Sequence, residues 1–351
     1  MTLANRLGFA ETPLFLVDGS AYIYRGYHAF RDLARSDGFP TSALFMIFRL
    51  LFKILKEQEP RHLVFFLDGK GPTFRSNIYA AYKANREAMP EPLARQLAPL
   101  RQGLALLGVP VIIPQGAEAD DGIASLAARF SPSLPVVIVG ADKDLKQCLS
   151  DRVALYDPSG KTERLTTLAD FTAECGIAPA SWPDLQALVG DTSDNIPGIP
   201  GVGPKTAAGI LRDCSSLDGF FAAPEQVANA KLRDKLLNAR ELIDRNRKLI
   251  RLRGDWPEQL PAAAAALNKQ VPDWSQVAAI FREYELRSLL RDLPETAEPM
   301  PEAAVRTETA PALQPSPDGD LFSWRQETPA PAAEDDAKPR DDDFFAGWPK
   351  H

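Results

Sequence analysis

Nine acidic side chains stand at positions where a folded chain could use them for chemistry: Asp18, Asp68, Glu118, Asp120, Asp121, Asp142, Asp144, Asp191 and Asp194. Three of them close apolar runs, LFLVD at Asp18, VFFLD at Asp68 and VVIVGAD at Asp142. If those runs are strands of one open sheet, their carboxyl ends border a shared crevice, where such sheets bind ligands. Glu118, Asp120 and Asp121 follow the run VPVIIPQGA, while Asp144, Asp191 and Asp194 lie in polar turns. Each has an ordinary explanation when taken alone, since acids favour the first turn of a helix and aspartate is common in turns. Gathered at one sheet edge, they would repel one another unless cations neutralised them.

The donor set restricts the cation. His28, His62 and His351 have no ligand-like spacing, and Cys148, Cys175 and Cys214 form no CxxC pair. Oxygen-only sites suit Mg2+, with Mn2+ able to substitute, rather than zinc. Two such ions about 4 Å apart are the common device for phosphodiester hydrolysis, one activating the attacking water and the other stabilising the leaving oxygen. The scattered cysteines read as buried thiols rather than a disulfide framework.

Two further stretches could grip a nucleic acid. Between residues 69 and 92 stand Lys70, Arg75, Lys83 and Arg86, interleaved with Phe74, Tyr79 and Tyr82. That mixture suits phosphate neutralisation and base stacking. Phe74, Ile78 and Tyr82 also fit an amphipathic helix facing the core, which periodicity alone favours. IPGIPGVGPKTA, residues 196–207, places Gly198, Gly201 and Gly203 before a helix start and Lys205 just inside it. Glycines there let backbone N–H groups approach a phosphate, and a helix N-terminus favours the anion. The bland alternative is a plain Gly/Pro turn.

The elements that must position these groups alternate along the first half of the chain. Apolar runs at 14–17, 63–67, 109–113, 136–139 and 153–156, separated by helical patterns, predict an α/β domain with a mainly parallel sheet. Residues 44–55, LFMIFRLLFKIL, are apolar almost all round and predict a buried helix. From about residue 184 the pattern shifts to helices and Gly/Pro-rich turns, a helical subdomain spanning 184–293 behind an α/β region of 1–183. Residues 294–351 hold ten of the 31 prolines and predict a disordered acidic tail.

Charge divides at the same place. The net charge is −7, yet residues 294–351 carry 13 Asp and Glu against five Lys and Arg. The remainder has 34 acids and 35 bases, so acids drawn into one pocket leave a basic surface elsewhere, as a phosphate backbone requires. The 45% hydrophobic content is enough for a core. No run of about 20 apolar residues and no signal-peptide pattern appears, so a cytoplasmic, membrane-free protein is expected.

Five stretches, LVDGSAYIYRGYHAF, FFLDGKGPTFRSNIYAAYKANR, GAEADDGIASLA, VGADKDLKQCLSD and GDTSDNIPGIPGVGPKTA, together resemble the 5′ nuclease domain of bacterial DNA polymerase I and the related flap endonucleases, over residues 14–293. The resemblance implies a PIN-like 5′ nuclease fold with a helical arch and a C-terminal helix-hairpin-helix. It implies a first metal group of Asp18, Asp68, Glu118 and Asp120 with Asp121 beside it, and a second of Asp142, Asp144, Asp191 and Asp194, holding two or more Mg2+ ions. Lys83 and Arg86 would stand near the scissile phosphate, with Tyr82 as a stacking platform. Arg25 is a further phosphate contact, and Lys205 would meet the duplex backbone.

The implied activity is that of a 5′–3′ exonuclease and structure-specific flap endonuclease in Okazaki-fragment processing and repair. Its substrate would be DNA with 5′ flaps or single-strand/double-strand junctions, read without sequence preference by a monomer. Small departures are Ser42, Gly122 and Pro204, where the family more often has glycine, an apolar residue and an acid. A non-catalytic junction-binding scaffold is the main alternative, and a hydrolase of phosphorylated small molecules a third. No polymerase module is expected, leaving the nuclease to act alone or with a polymerase in trans. In the tail, DLFSW at 320–324 and DFFAGW at 343–348 are candidate anchors for a DNA polymerase or sliding clamp.

Overall fold

A computed structural model describes residues 1–294, apart from 31, 70, 160–161 and 256–259. The expected tail and Lys70 therefore lie outside the described residues.

The five apolar runs form β1 (Leu14–Asp18), β2 (Leu63–Phe66), β3 (Val111–Ile112), β4 (Val136–Val139) and β5 (Val153–Asp157), joined by β6 (Arg164–Thr166). They make one sheet in the order β3-β2-β1-β4-β5-β6, parallel except for the last pair. Strands β1, β2 and β4 are buried on both faces, which is why they read as unbroken apolar runs rather than alternating ones. Leu14 and Leu16 point into one core and Phe15 and Val17 into the other.

Helices cover both faces: α1 (Leu3–Leu7), α2 (Gly19–Ala29), α3 (Ser42–Gln58), α4 (Phe74–Ile78), α5 (Glu91–Leu106) and α6 (Ala119–Phe130). The predicted buried helix is α3, eleven of whose residues are buried. The 3-10 turn Lys143–Cys148 follows β4, and then come α7 (Leu168–Cys175) and α8 (Trp182–Val189). A small antiparallel hairpin, β7 (Gly190–Asp191) and β8 (Ile196–Pro197), leads into α9 (Pro204–Cys214), α10 (Leu217–Ala222), α11 (Ala230–Asn238) and α12 (Arg240–Ile250). The chain returns to the sheet with α13 (Trp274–Glu283) and α14 (Arg287–Leu290), where Phe281 packs on Phe48 and Phe52. Among the described residues no helix is long and apolar enough to cross a membrane.

Strand order reverses between β1 and β4: β2 and β3 build away from one side of β1, while β4 and β5 lie on the other. The loops diverge there and open a crevice beyond the carboxyl ends of the strands.

One expected element differs. The stretch after Gly69, expected to form a helical arch, is helical only over the five residues of α4, and turns carry the chain on to Arg86. The reason is visible in its contacts. The Lys83 amide donates to the Asp194 carbonyl at 3.0 Å and Asn195 donates to the Ala81 carbonyl at 2.7 Å, so the segment is folded down onto the β7–β8 hairpin. Lys83 itself has a positive φ of 54°.

Candidate metal centre

Asp18 ends β1 and caps α2, its carboxylate accepting from the Ala21 amide at 3.2 Å. Asp68 stands just past β2 and accepts from the Ala119 amide at 2.8 Å, which ties the β2 end to the start of α6. Glu118 is the N-cap of α6, with Asp120 in its first turn. Asp142 follows β4 and accepts from the Asp144 amide at 2.7 Å. Asp191 and Asp194 are carried by the β7–β8 hairpin.

Asp142 is the hub of this set. The Asp18 carboxyl is pushed up to about 7, by burial first and then by Asp142 and Asp68. Asp120 is raised well above the usual range by burial, Asp142, Asp18 and Asp68. Asp144 is raised likewise by burial, Asp142, Asp191 and Asp194. Asp142 itself is raised by burial, with Asp194 and Asp191 adding to it. Carboxylate oxygens of Asp144, Asp191 and Asp194 lie within 4.8 Å of one another, a spacing a single cation could bridge. An all-oxygen, mutually repelling donor set of this kind fits a hard divalent cation.

A raised carboxyl has a direct consequence for the metal-free protein. Between the ordinary value of 3.8 and the Asp18 value of about 7, the folded state holds a proton that the unfolded chain has lost. Stability must then fall as pH rises through that window. In chelator the melting temperature should drop from about pH 5 to about pH 7.5, and added Mn2+ should flatten the slope. A chelated protein whose melting temperature climbs over that range would contradict the picture of crowded acids.

Three basic or aromatic groups close the rim. The Lys83 ammonium lies 2.7 Å from Glu118 and 3.8 Å from Asp194, and Arg86 lies 2.6 Å from Asp194. Burial opposes the Lys83 charge, and Glu118 and Asp194 outweigh it, so its pKa rises. The Tyr82 hydroxyl is 3.0 Å from both Glu118 and Asp194. At 9% exposure its ring lies in the core, with the Lys83 ammonium above it, so it bridges acids rather than offering a face for stacking.

Besides Tyr82, two expected assignments need correction. Arg75 is 1% exposed and cannot meet DNA: it forms a bidentate pair with Asp121 at 2.6 and 2.9 Å and donates to the Leu249 carbonyl at 2.6 Å. Asp121, 0% exposed, has both oxygens taken by that guanidinium, and one also accepts from the Glu118 amide in a capping box. Its position is thus explained by the helix start rather than by a metal. Breaking such a buried pair from one side costs about 3–5 kcal/mol.

The remaining expected contacts are spread over the surface. Arg25 is engaged at the end of β5 by Asp157 at 2.8 Å and by Ser159. Lys205 is exposed in the first turn of α9, beside Gly203 at its N-cap and Gly201 at φ +79°. Gly198 also has a packing role: a Cβ there would lie 1.9 Å from the Val189 carbonyl, so glycine is required for the hairpin to close on α8. Gly122 is explained similarly, with a Cβ 2.7 Å from the Phe66 ring, and Pro204 fits the first turn of α9, where no N–H is needed.

Sequence reading missed three side chains at the rim. Lys143 donates to Asp191 at 3.1 Å, and Gln186 donates to Asp144. Tyr24 is 37% exposed; its hydroxyl is raised by burial and then by Asp68, and lowered by Arg86, so it lies within electrostatic reach of both. Its signal was its place on the helix that Asp18 caps.

Two family models match the chain: "5′-3′ exonuclease, N-terminal resolvase-like domain" over residues 13–176 and "5′-3′ exonuclease, C-terminal SAM fold" over 177–273. A 5′-3′ exonuclease of Aquifex aeolicus is 36% identical over 281 residues, covering 80% of this chain and 94% of that protein. DNA polymerase I of Rhizobium leguminosarum is 36% identical over 294 residues, and the match covers 81% of this chain but 28% of that polymerase. Among solved structures, the bacteriophage T5 D15 flap endonuclease in a complex with DNA and metal ions aligns over 77% of this chain and 97% of that one, with TM-score 0.57 and 21% identity.

Proposed function

The chain belongs to the 5′-3′ exonuclease family of metal-dependent nucleases, and from that premise we propose that it hydrolyses DNA phosphodiester bonds near 5′ ends and at single-strand/double-strand junctions, with Mg2+ as its physiological metal. The observation that carries the reading is the close grouping of Asp144, Asp191 and Asp194, supported by the electrostatic pull of Asp142 on Asp18, Asp120 and Asp144 and of Asp68 on Asp18 and Asp120, and by Tyr82 and Lys83, which both reach Glu118 and Asp194. These eight would hold the ions, Asp121 being excluded by its pairing with Arg75. A hard divalent cation supplies charge neutralisation for the phosphate and a lowered pKa for the attacking water.

The chain's own groups then position the strand. Lys83 and Arg86 neutralise Glu118 and Asp194 at the rim and can donate to a phosphate that arrives there. Gly201, Gly203 and Lys205, at the open start of α9, are placed to hold the backbone of the duplex portion without reading sequence. Processing of Okazaki fragments and repair intermediates follows from such a substrate. The candidate clamp and polymerase anchors lie outside the described residues.

Tyr24, 37% exposed and within electrostatic reach of Asp68 and Arg86, is a better platform for a terminal unpaired base than the buried Tyr82. Tyr24→Ala should weaken flap binding by about 1–3 kcal/mol, the scale of one base–aromatic stack, while Tyr24→Phe should keep wild-type affinity. Fluorescence anisotropy with a labelled flap in chelator checks this, and equal affinity of the alanine variant would remove Tyr24 from the site. The function itself is tested with a 5′-labelled flap compared with blunt duplex and single strand, with and without Mg2+. Cleavage near the junction only with metal supports it, whereas tight binding without cleavage would favour a junction-binding scaffold.

A further inference from the structure

Three of the segments that carry the acids are fastened to one short stretch at the end of α12 and just beyond it. Asn246, 0% exposed, donates to the Ala187 carbonyl at 3.1 Å and the Pro197 carbonyl at 2.7 Å, on either side of the hairpin that carries Asp191 and Asp194. Gln147, in the turn that follows Asp142 and Asp144, donates to the Ile250 carbonyl at 3.0 Å and accepts from the Leu252 amide at 3.1 Å. Arg75 reaches the Leu249 carbonyl at 2.6 Å and the Arg251 carbonyl at 3.4 Å, and the Arg253 amide donates to Asp121 at 3.0 Å. The third fastening differs from the other two in being charged.

Its geometry bears on Glu118 and Asp120. The Arg75 guanidinium donates to Asp121 and to two carbonyls and makes an ion pair with the Glu118 carboxylate at 3.4 Å. Burial works against that charge, and Asp121 and Glu118 more than offset it, so the group stays protonated. Asp121 in turn holds the Glu118 amide. The first turn of α6 is thereby fixed in rotation and height between α4 and the α12 end. An arginine sealed from solvent with every donor directed is well suited to orienting a neighbouring carboxylate.

We propose that Arg75 and Asp121 form a positioning clamp that sets Glu118 and Asp120 for metal binding and locks them to the α12 end, with Asp121 acting as an anchor and not as a ligand. The clamp rests on the metal-dependent reading above. It acts through its neighbours, in the way that groups hydrogen-bonded to metal ligands tune a site, where loss of one typically costs about 10–100-fold in metal affinity or activity.

The test uses Arg75→Met and the double variant Arg75→Met/Asp121→Leu, which removes both charges and fills the space with apolar side chains, a replacement that buried pairs often tolerate. Each is titrated with Mn2+ by calorimetry in the full chain, alongside wild type, with circular dichroism to verify folding. The clamp predicts Mn2+ affinity about 10–100-fold weaker in the folded double variant, kcat on a 5′ flap reduced with KM for DNA unchanged, and partial recovery at high Mn2+. If Asp121 were a ligand, freeing it in Arg75→Met would leave Mn2+ binding as tight as wild type or tighter, which overturns the clamp. Wild-type Mn2+ affinity in the double variant overturns it too. Should Arg75→Met not fold, Asp121→Asn replaces it, and unchanged Mn2+ binding there counts against the clamp. If wild type itself takes up no Mn2+ and cuts no flap, the metal-dependent reading fails first and independently.

Discussion

Asp142→Asn should reduce flap cleavage by at least about 10³-fold, while raising the melting temperature of the chelated protein. Both effects come from the same charge. Asp142 raises the carboxyls of Asp18, Asp120 and Asp144, and is itself raised by Asp194 and Asp191, so it touches both acid groups electrostatically. Removing its charge relieves repulsion in the metal-free state and takes away an acid that acts on both halves of the cation site. Asparagine still offers an oxygen to the Asp144 amide, so the local turn survives the change. Single-turnover cleavage and a thermal melt in chelator check the pair of expectations. A variant that cuts at the wild-type rate would remove Asp142 from the centre, and one that melts lower would mean that its carboxylate stabilises the fold.

Lys83→Ala should lower kcat by about 10²–10³-fold, the loss expected when one preorganised donor to developing charge is removed. The Lys83 ammonium is held 2.7 Å from Glu118 on a turn whose amide is pinned to Asp194, so it is poised at the rim by backbone as well as by charge. Because it also offsets Glu118 and Asp194, its removal should tighten Mn2+ binding while slowing cleavage. That opposite movement of affinity and rate separates it from a residue that merely holds the fold. Lys83→Arg should recover part of the rate. Unchanged kcat in Lys83→Ala would show that the cation serves only to quiet the acids.

The sheet and the acids on it were legible because both follow local rules. Doubly buried parallel strands must be apolar throughout, and an aspartate directly after such a run is forced to the crevice, as with Asp18, Asp68 and Asp142. The convergence of Asp191 and Asp194 depends on a hairpin of two-residue strands, too short for any pattern to announce. Arg75 read as a surface group because residue type gives no measure of burial, whereas the spacing of Tyr82 with Phe74 and Ile78 already faced it to the core and only the family resemblance made it a stacking platform; the partners that hold them inward lie 36 to 46 positions away, Glu118 for Tyr82 and Asp121 for Arg75. The density of acids at 118–121 invited a single role for all, whereas only the folded chain separates Asp121, fully paired with Arg75, from the half-buried carboxylates of Glu118 and Asp120. Gly198 has a second reason to be glycine that the sequence does not announce, since close packing on Val189 demands it whatever it does toward a phosphate.

The decisive measurement is a calorimetric titration of the chelator-stripped chain with Mn2+ near neutral pH. Acids raised by their own crowding must release protons when a cation enters, so the chain should take up about two ions with heat that varies with the ionisation enthalpy of the buffer. No uptake of Mn2+ or Mg2+, or uptake that is unchanged in Asp142→Asn, would contradict the assembly of these carboxylates into a working metal centre.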